Sequence, residues 1–185
     1  PNLKMSSPKT VVIKISSSKK NLPLIFQKNI AGVTAFKRLI FSLQQAGIQN
    51  FIIFQQNSAP SQQHSVETSI KSDSRFKSNL QWHGFQNDSF SENLNPIKLL
   101  SEFEKVLLVE SDLVTTSGLI KDFINSSNAL EPVTITSLIN ETKDSDGIYL
   151  LLPSDIENYL RFGSLKKEVT PITLSGPWFF RQRIK

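Results

Sequence analysis

Residues 10–55 constrain the fold more than any other part of the chain. "TVVIKI" (10–15) is a short β-branched run and reads as a strand. It feeds the polar loop "SSSKKNLP". "GVTAFKRLIFSLQQAG" follows, with Val33, Phe36, Leu39, Ile40, Leu43 and Ala46 at helical spacing, which predicts a helix over 33–47. Gly47 stands where a helix C-terminus takes a left-handed residue. "NFIIFQ" (50–55) is a second buried strand. Strand, loop, helix and strand in this order call for parallel strands joined by a crossover helix.

The remainder extends that pattern and then changes it. A polar segment predicts one exposed helix around 63–73, and "LQWHGF" (80–85) a short strand. "SENLNPIKLLSEF" (91–103) reads as a helix with Pro96 near its first turn. "KVLLVE", with its apolar run from Val106, is a third strand, and 117–127 a helix. After that come predicted strands at 132–139, 147–152, 169–174 and 177–183, with one helix at 154–162. There is no internal repeat and no convincing linker. The expected fold is α/β, three-layer α/β/α, with a mixed, mostly parallel central sheet, in one domain over 1–185. The chain begins at Pro1 rather than Met, so a trimmed product or one part of a longer protein is expected.

Composition excludes several chemistries. There is no cysteine, hence no disulfide, thiolate metal site or cysteine nucleophile. The two histidines, His64 and His83, are too few and too far apart for zinc. A metal here would be held by oxygen, which favours magnesium. The 38% hydrophobic and 20% charged content is that of a soluble globular chain. No apolar run approaches the roughly 20 residues that span a bilayer, and the first twenty residues lack a signal-peptide core. The net charge of +5 suits an anionic ligand, a nucleic acid or an acidic membrane surface. The basic pairs Lys19-Lys20 and Lys166-Lys167 are not interleaved with aromatics, so nucleic acid is not the expected partner.

The strand over 106–110 finishes in "ESD", with Glu110 and Asp112 one residue apart. In an open α/β sheet, ligands bind outside the carboxyl ends of the strands. Asp112, in the turn before a helix, is placed either to hold a phosphate-bridging metal ion or to start the turn and cap the helix. The loop after the first strand holds Ser16, Ser17, Ser18, Lys19 and Lys20. Serines donate hydrogen bonds and lysines supply charge, as a phosphate site requires. Without a glycine, the loop reads equally as a basic surface segment. Arg38 reads as a surface or ion-pair residue, Trp82 and His83 as strand packing rather than a base-stacking platform, and Trp178, Phe179 and Phe180 as core or interface.

"LIFQKNIAGVTAFKRLIFSLQQAGIQNFIIF" resembles the opening of the sugar-nucleotide-type nucleotidyltransferases. "KVLLVESDLVTTSGLIKDFI" resembles their metal-binding strand, and "SDGIYLLLPSDIENYL" their Gly-Ile-Tyr strand and the helix after it. The wording around Lys28, Gly32 and Arg38, with the ending "GPWFFRQRIK", is most similar to the cytidylyltransferase-like domains fused ahead of membrane CDP-alcohol phosphatidyltransferases. The resemblance covers roughly residues 10 to 183.

That resemblance implies a nucleotide-diphospho-sugar transferase-like fold and a reaction. A phosphate oxygen of a sugar or polyol phosphate attacks the α-phosphorus of a nucleoside triphosphate, CTP by the subgroup, and pyrophosphate leaves. It implies Mg2+ or Mn2+ on Asp112; Glu110 reads either as a second ligand or as a plain strand-end carboxylate. Lys28 would face phosphates as the catalytic lysine, residues 16–20 would cover the triphosphate, and Gly147 would let the acceptor approach the backbone. Phospholipid biosynthesis, a cytoplasmic place at the inner face of a membrane through a fused or partner phosphatidyltransferase, and a homodimer are further implications. Two departures define a rival. The family's glycine-rich "GxGxR" loop is missing, and no Asp follows Trp178, where Phe179, Phe180 and Arg181 stand. The rival is a domain of the same fold that binds nucleotide or supports a partner enzyme without catalysis. A nucleotide-sugar glycosyltransferase is a third expectation, because "ESD" is close to the Asp-x-Asp pair of such enzymes.

Overall fold

The structure, a computed structural model, describes residues 7–15, 24–56, 59–85, 95–100, 104–130, 135–139, 145–162, 164–165 and 167–174. Strand β1 (Thr10–Ile15) is an interior strand of the sheet. Val11, Ile13 and Ile15 point to one face and Val12 to the other, all fully buried, which is why the sequence there is a continuous apolar run. A 3-10 turn (Leu24–Phe26) follows. A small hairpin comes next, β2 (Asn29–Ile30) against β3 (Val33–Thr34), with Ala31 and Gly32 both at positive φ in its two-residue loop.

Helix α1 (Ala35–Gln45) is shorter than the expected 33–47, because Val33 and Thr34 belong to the hairpin. Thr34 caps it, its side chain accepting from the Lys37 amide. Its last turn closes as a Schellman motif. The Ile48 amide donates to Leu43 O at 3.2 Å and the Gly47 amide to Gln44 O at 3.0 Å, with Gly47 at φ +107. Strand β4 (Asn50–Gln56) follows, and then α2 (Pro60–Lys71), with Pro60 in its first turn, three residues earlier than the expected start. Strand β5 is Asn79–Phe85. Helix α3 (Asn95–Lys98) is one turn within the expected 91–103, and Leu99 beyond it is 86% exposed; the rest of that expectation, save Leu99 and Leu100, lies outside the described residues. The others are β6 (Val106–Glu110), α4 (Ser117–Asn128), β7 (Ile135–Ile139), β8 (Ser145–Leu151), α5 (Pro153–Phe162) and β9 (Val169–Ile172). Strands β8 and β9 begin and end close to the expected 147–152 and 169–174. The expected strand at 177–183 lies outside the described residues.

The seven strands form one sheet in the order β5-β4-β1-β6-β8-β7-β9. Strands β5, β4, β1 and β6 are parallel, β8 is antiparallel to both its neighbours, and β7 is parallel to β9. One face packs against α1, α2 and α4 through Phe36, Leu39, Ile70, Ile120 and Phe123. The other packs against α3 and α5 through Ile97, Ile156 and Leu160. This is the expected three-layer α/β/α arrangement with a mixed, mostly parallel sheet.

An ionic cluster fastens α1 to the turn ahead of β5. Asp73 lies 2.7 Å from Lys37 and 2.8 Å from Arg75, whose guanidinium stands 4.7 Å over the Phe41 ring. Hydrogen bonds from Arg75, then from Lys37, hold the Asp73 carboxyl well below the ordinary carboxylate range. A depressed carboxyl stabilises the fold above its unfolded-state value, and that contribution is lost as pH falls through the folded one. Asp73→Asn is therefore expected to lower the unfolding midpoint at neutral pH. The gap from the parent chain should close as the pH falls below the ordinary carboxylate range. A pH series of thermal melts checks this, and a gap independent of pH would contradict it.

Candidate nucleotide site at the strand ends

From β1 the chain steps outward to β4 and β5, then returns to place β6 on the other side of β1. The order reverses between β1 and β6, the place in an open α/β sheet where ligands bind beyond the carboxyl ends of the strands. The pairing continues one residue past β6, where the Ser111 amide donates to Lys14 O at 3.3 Å. A tight turn follows, closed by the Leu113 amide on Glu110 O at 3.3 Å. Leu113 is buried in the core and Ser111 is buried beside it, so the turn is anchored at both ends with half-buried Asp112 between them. Buried Thr115 accepts a hydrogen bond from Ser42 of α1 on its carbonyl, at 3.3 Å. Thr116 then caps α4. Helix α4 thus starts at the same end of the sheet as Asp112.

Glu110 turns to the opposite face. Strand alternation puts it with Val106 and Leu108 on the α5 side. There the Tyr159 hydroxyl donates to Glu110 Oε1 at 3.0 Å. The carboxylate lies over Gly147, where an added Cβ would stand 3.0 Å from Glu110 Oε2 and 3.2 Å from Glu110 Cβ. Gly147 also has φ +78, which side chains rarely adopt. Glu110 thus packs over the side of Gly147 that an added side chain would take.

The fold thus brings Glu110, Asp112 and Gly147 to one strand end. Lys28 is exposed at the foot of the hairpin, with its carbonyl accepting from the Ala35 amide at 2.7 Å. Ser16, Ser17, Ser18, Lys19 and Lys20 lie outside the described residues, as do Trp178, Phe179 and Phe180. Arg38 is exposed on α1. Trp82 is core packing, with Phe26 and Phe36 against it and its indole N–H on Gln55 at 3.1 Å. His83 stacks on Phe54 at 5.5 Å, and burial pushes its imidazole pKa down. Among the described residues no group of three or more His, Asp or Glu could by itself hold a metal ion. Asp112 with Glu110 offers only hard oxygen donors, which suits magnesium bound jointly by one or two carboxylates and ligand phosphates.

Two residues escaped sequence reasoning. Tyr159, on α5, reaches Glu110 only through the tertiary fold. Lys14 stands in the interior strand β1, with its ammonium 5.0 Å from the centre of the Tyr159 ring. Its signal was available, as the one charged residue within "TVVIKI".

No family model and no curated protein matches the sequence. Solved structures do match the fold. HddC from Yersinia pseudotuberculosis aligns with TM-score 0.63 at 17% identity, over 89% of this chain and 90% of that one. The 4-diphosphocytidyl-2C-methyl-D-erythritol synthase from Anaerococcus prevotii aligns with TM-score 0.60 at 11% identity, over 95% of this chain and 89% of its own. CMP:2-keto-3-deoxy-manno-octonic acid synthetase, solved with CTP, aligns with TM-score 0.56 at 12% identity, over 91% and 92%. The likeness is one of fold.

Proposed function

We propose, from the nucleotide-diphospho-sugar transferase-like fold described above, that the protein transfers a nucleotidyl group, CMP from CTP, to the phosphate of a polyol or sugar, releasing pyrophosphate. The observation that carries this reading is the anchored Asp112 turn at the point where the strand order reverses. Support comes from likeness to a synthetase solved with CTP and from the sequence resemblance around Lys28, Asp112 and Gly147.

In this reading Asp112, with Glu110 near it, would hold Mg2+ or Mn2+. The ion, when bound, neutralises charge on the phosphates. Lys28 would face the triphosphate from the hairpin, and residues 16–20 would cover it. Gly147 lets the Glu110 carboxylate lie across the strand, where with Tyr159 it meets the hydroxyls of the acceptor. The attacking oxygen already belongs to a phosphate, so the protein has little proton transfer to do. Its work is to align the acceptor oxygen with the α-phosphorus and to offset the accumulated negative charge. A fused or partner CDP-alcohol phosphatidyltransferase would consume the CDP-polyol at a membrane. Among the described residues no helix is long and apolar enough to cross one.

A second reading is favoured by one observation. Of the two strand-end carboxylates, Glu110 is already engaged by Tyr159 and packed over Gly147. A domain that keeps the fold, binds nucleotide and supports a partner enzyme would look the same. Thermal unfolding with CTP, ATP, UTP and GTP, each with and without magnesium, tests nucleotide binding in both readings. One triphosphate is expected to give a magnesium-dependent rise. Pyrophosphate release with acceptor phosphates then separates enzyme from degenerate domain. A rise with nucleotide-sugars but with no triphosphate would turn the site over to glycosyl transfer.

A further inference from the structure

Strand register places His83, Phe54, Lys14 and Glu110 side by side on β5, β4, β1 and β6, in one row across the sheet near its carboxyl end. Residues paired in register share a face, and Phe54 fixes this one as the face toward α5. Lys14 is thus an ammonium set in an interior strand, with a buried aromatic ring on one side and an already engaged carboxylate on the other.

Most described cations are accounted for otherwise. Lys37, Lys71, Arg75, Arg161 and Lys167 each have a carboxylate. Lys9, Lys28, Arg38, Lys77, Lys98 and Lys121 are exposed. Lys14 is half-buried, and among the described residues its ammonium meets no carboxylate and no hydrogen-bond acceptor, only the face of Tyr159 at 5.0 Å. Half-burying a lysine in an interior strand with no acceptor for its ammonium opposes folding. An aliphatic side chain, like those at Val12 and Ile13 beside it, would suit the strand better. A local choice that costs stability at the strand ends where ligands bind is the mark of a binding group.

We propose that Lys14 binds the phosphate group of the acceptor, received on the α5 side of the sheet between Lys14 and Tyr159. This rests on reading the strand ends as a phosphate-transfer site, and it adds the residue that would select a phosphorylated acceptor. The phosphate is the acceptor's rather than the nucleotide's because Lys14 faces α5, the side of Glu110 and Gly147. The hairpin ahead of α1 packs instead against α1. His83, Glu110 and Tyr159 are the other titratable groups facing this row from β5, β6 and α5.

The test is thermal unfolding of the parent chain, Lys14→Met and Lys14→Arg, with inorganic phosphate or with chloride at matched ionic strength. CTP with magnesium forms a separate arm. The parent is expected to gain stability with phosphate beyond chloride. Lys14→Met should melt at the same temperature or higher without ligand, bind phosphate at least about tenfold more weakly, and keep the CTP shift. Lys14→Arg should keep most of the phosphate shift. Lys14→Gln repeats the test should Lys14→Met fail to fold. A parent chain indifferent to phosphate, or a Lys14→Met chain that keeps its phosphate shift, overturns the proposal. So does loss of the CTP shift along with the phosphate shift, which would assign the group to the nucleotide. If CTP never shifts the parent while the phosphate shift still dies with Lys14, the nucleotide reading alone falls.

Discussion

Asp112→Asn is expected to abolish the magnesium-dependent part of the stabilisation that CTP confers, and to leave the fold itself close to its parent stability. The side chain keeps its size, so the turn pinned by Leu113 on Glu110 O at 3.3 Å can close as before. What is lost is the negative charge. Magnesium binds hard anionic oxygen and dehydrates reluctantly, so a neutral amide is a poor substitute for a carboxylate. A triphosphate at 100 times its dissociation constant stabilises a fold by about 2.7 kcal/mol. In a chain of this size that is roughly 5–10 °C of unfolding midpoint. The parent chain should show this rise with magnesium and little of it without. The variant should show the small rise in both cases. Glu110→Gln should keep more of the effect, because the Tyr159 hydroxyl can still find an amide oxygen there. A variant with an undiminished magnesium-dependent rise would reduce Asp112 to a turn residue.

The parts of this fold legible in the sequence are those where burial leaves a local trace. Strands β1, β4 and β6 read as apolar runs because both faces are covered. Helix α1 read from its spacing, and its end from Gly47, because the Schellman turn needs a positive φ there. The hairpin before α1 did not read. Its strands are two residues long, too short for alternation, and its loop puts Ala31 at φ +50, which no propensity favours. Helix α3 was drawn too long because Leu99 and Leu100 continue the apolar pattern, whereas Leu99 is 86% exposed. The insertion of β8 between β6 and β7 had no local trace, since pairing partners are chosen by tertiary packing. The same holds at the site. Asp112 was visible as a carboxylate at a strand end, but the contact of Glu110 with a tyrosine 49 residues away was not.

Gly147→Ala is expected to be the most damaging single-methyl substitution in the described part of the chain. Two costs combine. At φ +78 an alanine pays the left-handed penalty, about 1–2 kcal/mol. Its Cβ would also stand 3.0 Å from Glu110 Oε2 and 3.2 Å from Glu110 Cβ. The carboxylate oxygen is the end of a flexible chain and can swing away. The Glu110 Cβ is fixed to β6 and cannot. Swinging the carboxylate aside breaks the 3.0 Å bond from Tyr159, and a hydrogen bond to a charged group is worth about 1.5–3 kcal/mol. Together the loss is about 3 kcal/mol, or roughly 6–12 °C in midpoint for a chain of this size. A double-mutant cycle separates the two costs. Glu110→Ala alone forfeits the Tyr159 bond, and adding Gly147→Ala on that background then exposes mainly the backbone penalty. The double variant should therefore lose less than the sum of the singles, by about 1–2 kcal/mol. Additive losses would mean that the cost at Gly147 is all backbone, and that Glu110 does not lie across it in solution.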